Sequence, residues 1–437
     1  EDHVGLLVPG EYHADTSELV QILSKGHHNV KLDDESWDRL ITWIDLNGPC
    51  HGTWGEVGPI PEGADRRRRE LSRLHNGPKE NPELIPEISC TPIQAVVPEP
   101  EPEARRQSPE LAGWPFNAEQ ARSRQQEADE PEKTIDLRGV TIKLVRIPAG
   151  SFVMGDPAGQ ADERPPAAVS IDRDFWMGAC EVTNEQFGLF DSSHDSGYFT
   201  KRFQGPDGPG LSLAKPHQPA VRVSWQQALE FCRWLSIKTG MNFTLPTEAQ
   251  WEYACRAGSG SPLSYGRVDT DFSRWANVAD QLLSVSPKPT GGLESNIVAH
   301  FGKGILESAV YGGNILCDIR FDDGTIQTAD VGGYRPNVWG LYDMHGNAAE
   351  WTRTTYKPYP YEADDGRNGI TESGRKVVRG GSWCDRPERC RSAFRLSYPA
   401  WQRVHNVGFR VVCEIESPDQ KYATSANIVP RDEVTHD

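Results

Sequence analysis

The sequence lacks any apolar run of the roughly 18 residues that a membrane-spanning segment needs. It is also short of basic residues, with 46 Lys and Arg against 63 Asp and Glu in 437 residues, a formal net charge of -17. Nucleic acids and anionic membrane surfaces both attract proteins through cationic patches. We therefore expect no nucleic-acid partner and no membrane span.

Closely spaced cysteines are missing as well. No CxxC and no CxxCH occurs, which argues against a zinc ribbon and a covalently attached haem. Wide spacing in a Gly-rich chain instead suits disulfides in an oxidising compartment, so we expect an extracytoplasmic protein, periplasmic or secreted. Because position 1 is Glu, we expect a mature or excised piece. The nine cysteines, an odd number that leaves at least one unpaired, are Cys50, Cys90, Cys180, Cys232, Cys255, Cys317, Cys384, Cys390 and Cys413.

Large rings and turn-forming residues are abundant. The chain has 13 Trp, 41 Gly and 33 Pro. This composition predicts a loop-rich domain held together by buried aromatic side chains, and it argues against a helical bundle.

Residues 1–58 are predicted to be the helical end of an upstream domain. Ser17 is a candidate cap for one short helix, and residues 34–46 have the periodicity of a second. Two such helices bury too little surface to fold alone. Residues 26–32 and 43–47 resemble the closing segment of planctomycete-type secreted multidomain proteins. The adjacent His27 and His28 are then either ligands in the intact parent or part of a solvated turn.

Residues 59–133 are predicted to be a Pro-, Glu- and Arg-rich linker, and 417–437 a polar tail. Pro and Glu alternate over residues 98–103, which favours an extended spacer. Four successive arginines, Arg66 to Arg69, form either an anion-binding patch or a solvated helix face. Residues 114–116 supply apolar anchors by which the linker could pack on the main domain.

The main domain is placed at residues 134–416. Alternating apolar residues over 145–155 predict a strand, a turn and a strand, and Thr183 or Asn184 is a candidate helix cap. An amphipathic helix follows Trp225, and Thr247 with Gln250 has the pattern of a capping box.

These blocks, with residues 340–352, 378–383 and 408–412 in the same order, resemble the formylglycine-generating enzyme family, also called the sulfatase-modifying-factor family. The resemblance covers nearly two thirds of the chain. It implies one α/β (α+β) domain with much irregular structure and a C-type-lectin-like fold.

An acidic turn contains candidate calcium ligands. Asp343 and Glu350 flank Asn347, a pattern that serves either calcium binding or simple capping of the next segment. The resemblance implies one calcium site at Asp343, Gly346, Ala348 and Glu350. It implies a second at Asn277, Val278, Asp323 and Thr325. His345, inside the first block, is either a cleft acid or base or a hydrogen-bonded structural histidine.

Catalysis in this family, as the resemblance implies, oxidises a substrate cysteine with oxygen at a copper(I) held by two cysteines. Cys384 and Cys390 are the candidate pair, with Ser382 at a family active-site position, but five residues separate the two cysteines here. Soft thiolates suit copper(I) only if both are deprotonated and reachable. Ala349 stands where the enzymes have a tryptophan of the oxygen pocket.

The resemblance also implies a competing use of the cysteines, namely the disulfides Cys255–Cys390 and Cys232–Cys413. Cys384 would then be alone, or paired with Cys180.

Three functions follow from these alternatives: a cysteine-oxidising enzyme, a binding module for a peptide, glycan or partner domain, and a structural appendage of a larger protein. We expect a calcium-bound, disulfide-braced binding or structural module whose partners are upstream domains or another protein. Copper is expected only if the cysteine pair is catalytic, and enzymatic activity is left open.

Overall fold

The computed structural model describes residues 14–45, 63–75, 102–127, 130–199, 211–284, 305–307, 316–370 and 373–415. The predicted tail at 417–437 and the spacer at 98–101 lie outside these residues. The described residues divide into two compact units, one within 12–101 and one from Pro102 onward. No helix among them is long and apolar enough to cross a bilayer.

The first unit is helical. Its helices are Glu18–Ser24, Asp34–Asp45 and Ala64–Leu74. The Ser17 hydroxyl accepts a hydrogen bond from the Val20 backbone N–H at 3.4 Å, which confirms the predicted cap. His27–Asn29 form a 3-10 turn, and a turn was one of the two alternatives predicted for these histidines. The arginine run lies on Ala64–Leu74, where Arg66, Arg67 and Arg69 are exposed.

The second unit combines helices with short strands. Its helices are Ala118–Gln126, Asn184–Gly188, Trp225–Thr239, Glu248–Arg256 and Gln281–Ser284, and 3-10 turns lie at Glu103–Arg106, Ala161–Glu163 and Pro387–Arg389. The strands, in chain order, are β1 Glu132–Leu137, β2 Val140–Ile147, β3 Gly150–Met154, β4 Ala167–Ile171, β5 Phe175–Gly178, β6 Tyr198–Phe199, β7 Leu211–Ser212, β8 Phe243–Thr244, β9 Ile305–Glu307, β10 Leu316–Asp318, β11 Ala349–Thr355, β12 Arg375–Arg379, β13 Leu396–Pro399, β14 Val407–Gly408 and β15 Val412–Glu414.

Two sheets organise this unit. The larger has the order β1-β2-β5-β15-β8, with antiparallel pairing throughout. The smaller has the order β13-β12-β11-β14, in which β14 runs parallel to β11. The strand–turn–strand prediction over 145–155 is confirmed by β2 and β3.

Local sequence explains where the two main helices begin. Before Trp225–Thr239, the Ser224 hydroxyl accepts from the Gln227 backbone, and the Gln227 side chain accepts from the Ser224 backbone. Thr247 and Gln250 form the same reciprocal pair before Glu248–Arg256, at 3.0 and 2.9 Å. Both capping boxes satisfy amide groups that the first helical turn leaves without partners.

Aromatic side chains fill the core, as the composition indicated. Fully buried tryptophans include Trp225, Trp251, Trp339, Trp351 and Trp383. Two of their ring N–H groups donate to backbone oxygens of the core. The Trp225 ring donates to Thr352 O, and the Trp351 ring donates to Val223 O.

Part of the predicted linker belongs to this unit. Phe116 is only 7% exposed and packs with Trp114 and Phe152. Asn117 caps the helix Ala118–Gln126, whose Ala121 is fully buried. The apolar anchors at 114–116 therefore hold residues 102–127 against the main domain.

Buried ion pairs tie the Glu248–Arg256 helix to the smaller sheet. Glu248 accepts from Arg395 at 2.6 Å, and Glu252 accepts from Arg379. All four side chains are fully buried. Buried charges of this kind require their partners, because desolvation of a single charge is costly.

Candidate functional site

A glycine turn after β12 positions the predicted catalytic residues. Gly380 and Gly381 have φ angles of +94° and +66°, which favour glycine. A Cβ atom on Gly381 would lie 2.5 Å from the Cys390 sulfur. The turn therefore passes directly over Cys390 before it reaches Ser382.

Ser382 is the centre of a small polar cluster. Its hydroxyl donates to Asp385 Oδ2 at 2.6 Å and accepts from Asn406 Nδ2 at 2.8 Å. The Cys384 sulfur lies 3.3 Å from both Ser382 Oγ and Asn406 Nδ2, and 4.0 Å from His405 Nε2. Asp385, His405 and Asn406 were missed by the sequence predictions.

The rest of this site is aromatic. The Phe199 ring lies 5.1 Å from the Trp383 ring and 4.7 Å from the His405 ring. Burial, with a smaller contribution from Arg222, lowers the pKa of His405 to about 3. The imidazole beside Cys384 is therefore neutral at physiological pH and a weak base.

The second thiol of the predicted copper pair belongs to another environment. Cys390 is fully buried with Phe272, Ala276 and Val278, whereas Cys384 packs with the cluster around Trp383. Cys390 Sγ has the Asp385 carbonyl oxygen as its polar neighbour, at 3.8 Å.

Both thiols are protonated at neutral pH. Burial first, and Asp385 second, raises the pKa of Cys384 to about 12 and raises that of Cys390 well above its usual range. Copper(I) requires two deprotonated sulfurs at one place. A bound metal itself lowers the pKa of a coordinating thiol, so the raised values describe the two thiols without a metal, and copper at this pair stays a prediction.

The predicted disulfides are not formed. Cys232, Cys255, Cys390 and Cys413 are in no disulfide in the structure, and neither are Cys180 and Cys384. Cys255 points at polar neighbours, with its sulfur 3.5 Å from both Ser392 Oγ and His345 Nε2. The prediction is thus corrected for Cys255–Cys390 and Cys232–Cys413.

His345 is a structural histidine. Its Nδ1 lies 2.8 Å from the Cys390 carbonyl oxygen, to which it donates, and its Nε2 accepts from the Ser264 backbone at 2.9 Å. Burial lowers its pKa to about 4. A neutral ring with both nitrogens occupied has no free position for acid–base chemistry, so the structural alternative holds.

The first predicted calcium set surrounds a buried charge cluster. Glu350 accepts from Arg410 at 2.6 and 2.7 Å and from Trp251 Nε1 at 2.7 Å. The charge of Glu350 is therefore already balanced by Arg410. Gly346 packs so closely on Asn277 that an added Cβ would lie 2.1 Å from the Asn277 carbonyl oxygen.

Asp343 faces Glu181, a residue that the sequence predictions did not assign. Neither Asp343 Oδ1 nor Glu181 Oε2 receives a hydrogen bond. Burial raises the pKa of Asp343 to about 6, and burial with Asp343 nearby raises that of Glu181 well above its usual range. The charge of Arg410 lowers the pKa of both groups, and a proton shared by the two carboxyls or a further cation would lower their repulsion.

The second predicted set adjoins the first. Asn347 donates its backbone N–H to Asn277 O at 2.8 Å, and Asn277 Nδ2 lies 3.1 Å from Asn347 Oδ1. Asp323 accepts from the backbone N–H groups of Val278 at 2.9 Å and Thr325 at 3.0 Å. The structure thus brings the two predicted sets together.

This second set is compatible with a hard cation, because it offers oxygen ligands. Asn277 Oδ1 is buried and has no hydrogen-bond partner. Burial, with Asp280 as the next cause, raises the pKa of Asp323 to about 8. Among the described residues, no three His, Cys, Asp or Glu side chains form a metal-binding group, so any such ion would depend on amide and backbone oxygens.

The comparison with known proteins bears on this site. Residues 128–415 match the family described as sulfatase-modifying factor enzyme 1-like domain, which is most of the chain. The chain belongs to this family. It has the family's C-type-lectin-like fold of mixed helix and sheet, as the sequence predicted.

Relatives in this family carry different names. The chain is 28% identical over 354 residues to the formylglycine-generating enzyme of Mus musculus, covering 70% of this chain and 85% of that protein. It is 25% identical over 317 residues to the inactive C-alpha-formylglycine-generating enzyme 2 of Bos taurus, covering 62% and 88%. The family therefore contains both enzymes and inactive proteins.

Among solved structures, the chain is similar to PvdO from Pseudomonas aeruginosa at 26% identity. The match has a TM-score of 0.49 and covers 66% of this chain and all of that one.

Proposed function

We propose that the domain is a non-catalytic binding or structural module of a secreted or periplasmic multidomain protein. The observation that supports this most directly is that the two thiols have different neighbours. Cys384 lies in a polar cluster with Ser382 and Asn406, while Cys390 is buried beneath Gly381. A copper(I) centre needs both sulfurs together as thiolates.

Ala349 supports the same proposal. It is fully buried, and its backbone N–H donates to Asn406 O at 2.9 Å. A tryptophan side chain there would bury roughly 150–250 Å² of surface, the usual area for a large aromatic side chain. The space beside Ser382 is thus shaped differently from the pocket that the resemblance implies for the enzymes.

A second candidate is an oxygen-dependent oxidoreductase that converts a substrate cysteine to formylglycine. The polar cluster favours it, because Ser382 and Cys384 remain together at the position that the resemblance assigns to the active site. The relatives named formylglycine-generating enzyme favour it as well.

The two candidates differ in a direct assay. The full chain, loaded with copper(I) under reducing conditions, is incubated in air with a cysteine-containing peptide, and formylglycine is followed by mass spectrometry. The proposal expects no product above that of the Cys384→Ser variant. Turnover by the native chain that Cys384→Ser abolishes would establish the enzyme instead.

We propose calcium as the ion of this module, held at the second predicted set and at the facing pair Asp343 and Glu181. Asn277 Oδ1, Asp343 Oδ1 and Glu181 Oε2 are buried oxygens without donors, which favour a cation nearby. When bound, calcium would hold the loops at 277–278 and 323–325 together. Its expected role is structural.

Chelation tests this assignment. Because a ligand of the folded state stabilises by mass action, removing calcium with a chelator should lower the midpoint of thermal unfolding. Calcium should restore it, and Asp323→Asn should weaken that response, whereas Asp330→Asn, at an exposed neighbouring position, should not. An unchanged unfolding midpoint after chelation would contradict the proposed calcium site.

The proposed partners are upstream domains of the same polypeptide, another protein, or a peptide or glycan ligand.

A further inference from the structure

A second pocket lies apart from the Ser382 cluster. It is an open cleft with a volume of about 810 Å³, built from segments near residues 215–218, 273–274, 323–336 and Tyr342. Its size falls within the range of small-molecule sites, roughly 300–1,000 Å³. None of its lining residues belongs to the Ser382, Cys384 and Asn406 cluster. We call it the cationic pocket.

Three cations from separate segments line it: Lys215, Arg274 and Arg335. All three are exposed, and none forms an ion pair with a carboxylate of the described residues. In a chain with a formal net charge of -17, three unpaired cations at one cleft are unusual. Two acids, Asp323 and Asp330, also line the pocket, so cations exceed acids by one (3 − 2 = 1).

The two arginines come from segments joined by a backbone hydrogen bond, and the Arg335 side chain also lies over an aromatic ring. The Arg335 backbone N–H donates to the Arg274 carbonyl oxygen at 2.9 Å, which joins the two segments. The Arg335 guanidinium carbon lies 5.4 Å from the centre of the Trp275 ring. Stacking on an aromatic face leaves the N–H groups of a guanidinium free to donate to another group.

The floor of the pocket is polar and connected. Gln218, 2% exposed, donates its side-chain amide to Thr328 O and accepts from the Lys215 backbone N–H at 3.1 Å. Tyr334 OH lies 3.0 Å from Thr325 Oγ1. The Thr328 hydroxyl is buried and has no hydrogen-bond partner. The floor therefore fixes the backbone at Lys215 and offers one hydroxyl without a hydrogen-bond partner.

We propose that the cationic pocket binds a small organic ligand with at least two negative charges on carboxylate or phosphate oxygens. Two guanidinium groups and one ammonium group suit this chemistry, because arginine donates in pairs to such oxygens and lysine adds a point charge. This inference rests on the proposed binding function and names its ligand class.

Isothermal titration calorimetry on the full chain at low ionic strength tests the proposal, with inorganic phosphate and succinate as separate probes. Binding of phosphate, succinate or both is expected, and the pattern identifies the oxygens preferred. The Arg274→Gln/Arg335→Gln double variant should bind about tenfold more weakly or worse, since it loses the charged hydrogen bonds of both guanidinium groups. Arg233→Gln, at an exposed position on the Trp225–Thr239 helix, should bind as the native chain does.

Both variants replace exposed side chains, so their thermal unfolding should match that of the native chain and report intact folds. No binding of either probe, or equal binding by the double variant, would overturn the proposal. Neither result would affect the formylglycine assay, so failure here is distinct from failure of the proposed function.

Discussion

At the scale of single residues, buried charges in this domain are held by specific protein partners. Arg410 is fully buried and depends on Glu350 for its counter-charge, with further hydrogen bonds to Gly178 O and Tyr342 O. An exposed pair such as Lys143 and Glu132, whose side chains are 45% and 54% exposed, has water as an alternative partner.

We expect Glu350→Gln to lower the free energy of unfolding by about 3–5 kcal/mol, because it removes the carboxylate to which the buried Arg410 guanidinium donates. The matched change Glu132→Gln at the exposed pair should cost at most about 1 kcal/mol. Chemical denaturation followed by tryptophan fluorescence measures both. Equal losses in the two variants would show that the buried pair has no special role.

His345 predicts a pH dependence. Its pKa is lowered to about 4 in the fold, against about 6.5 in an unfolded chain, so the unfolded chain binds more protons in that window. The stability that the neutral ring contributes is fully present above pH 6.5 and is lost as the pH falls towards 4.

The variant His345→Gln isolates this effect, because glutamine also offers one donor and one acceptor but does not titrate. The stability difference between native chain and variant should shrink, by about 1.4 kcal/mol per pH unit, as the pH falls below 6.5. A difference that stays constant from pH 7.5 to 4.5 would mean that the ring is not kept neutral by the fold.

At the scale of elements, local signals predicted more than distant ones. The helix caps Ser17 and Thr247 and the strand pair over 145–155 depend on residues a few positions apart, and the sequence indicated them. The placement of β15 between β5 and β8 depends on partners far along the chain, as does the contact of Glu181 with Asp343. No local pattern encodes such contacts.

The same distinction applies to the candidate site. The glycine pair and Ser382 were recognisable as a block, but the surrounding Asn406 and His405 come from a separate loop. The disulfides Cys255–Cys390 and Cys232–Cys413 were implied by the family resemblance, and the structure shows neither of them, because a resemblance does not say where a thiol points. Cys255 instead points at His345 and Ser392.

The cap of the Glu248–Arg256 helix provides a test at this scale. Thr247→Ala removes the hydroxyl that accepts from the Gln250 backbone at 3.0 Å. We expect it to lower the free energy of unfolding by about 1 kcal/mol, whereas Thr247→Ser, which keeps the hydroxyl, should cost a few tenths. Equal stabilities in denaturant for the alanine and serine variants would contradict the role of the cap.

At the scale of the whole molecule, the structure predicts the oxidation state of the thiols. Cys232, Cys255, Cys390 and Cys413 are buried and in no disulfide, so after unfolding without reductant each should be alkylated by iodoacetamide. Peptide mapping by mass spectrometry gives the result site by site, with a fully reduced sample as the control. Cross-linked peptides containing Cys255 with Cys390, or Cys232 with Cys413, would contradict it.

The central position of β15 affects how this domain is made. Residues Val412–Glu414 pair with β5 on one side and β8 on the other, so the larger sheet stays split until they arrive. During synthesis, the ribosome must release residue 414 before the sheet can close, and the nascent chain meanwhile exposes unpaired strand edges. Any fragment that ends before Val412 therefore lacks the strand that joins the two halves of this sheet.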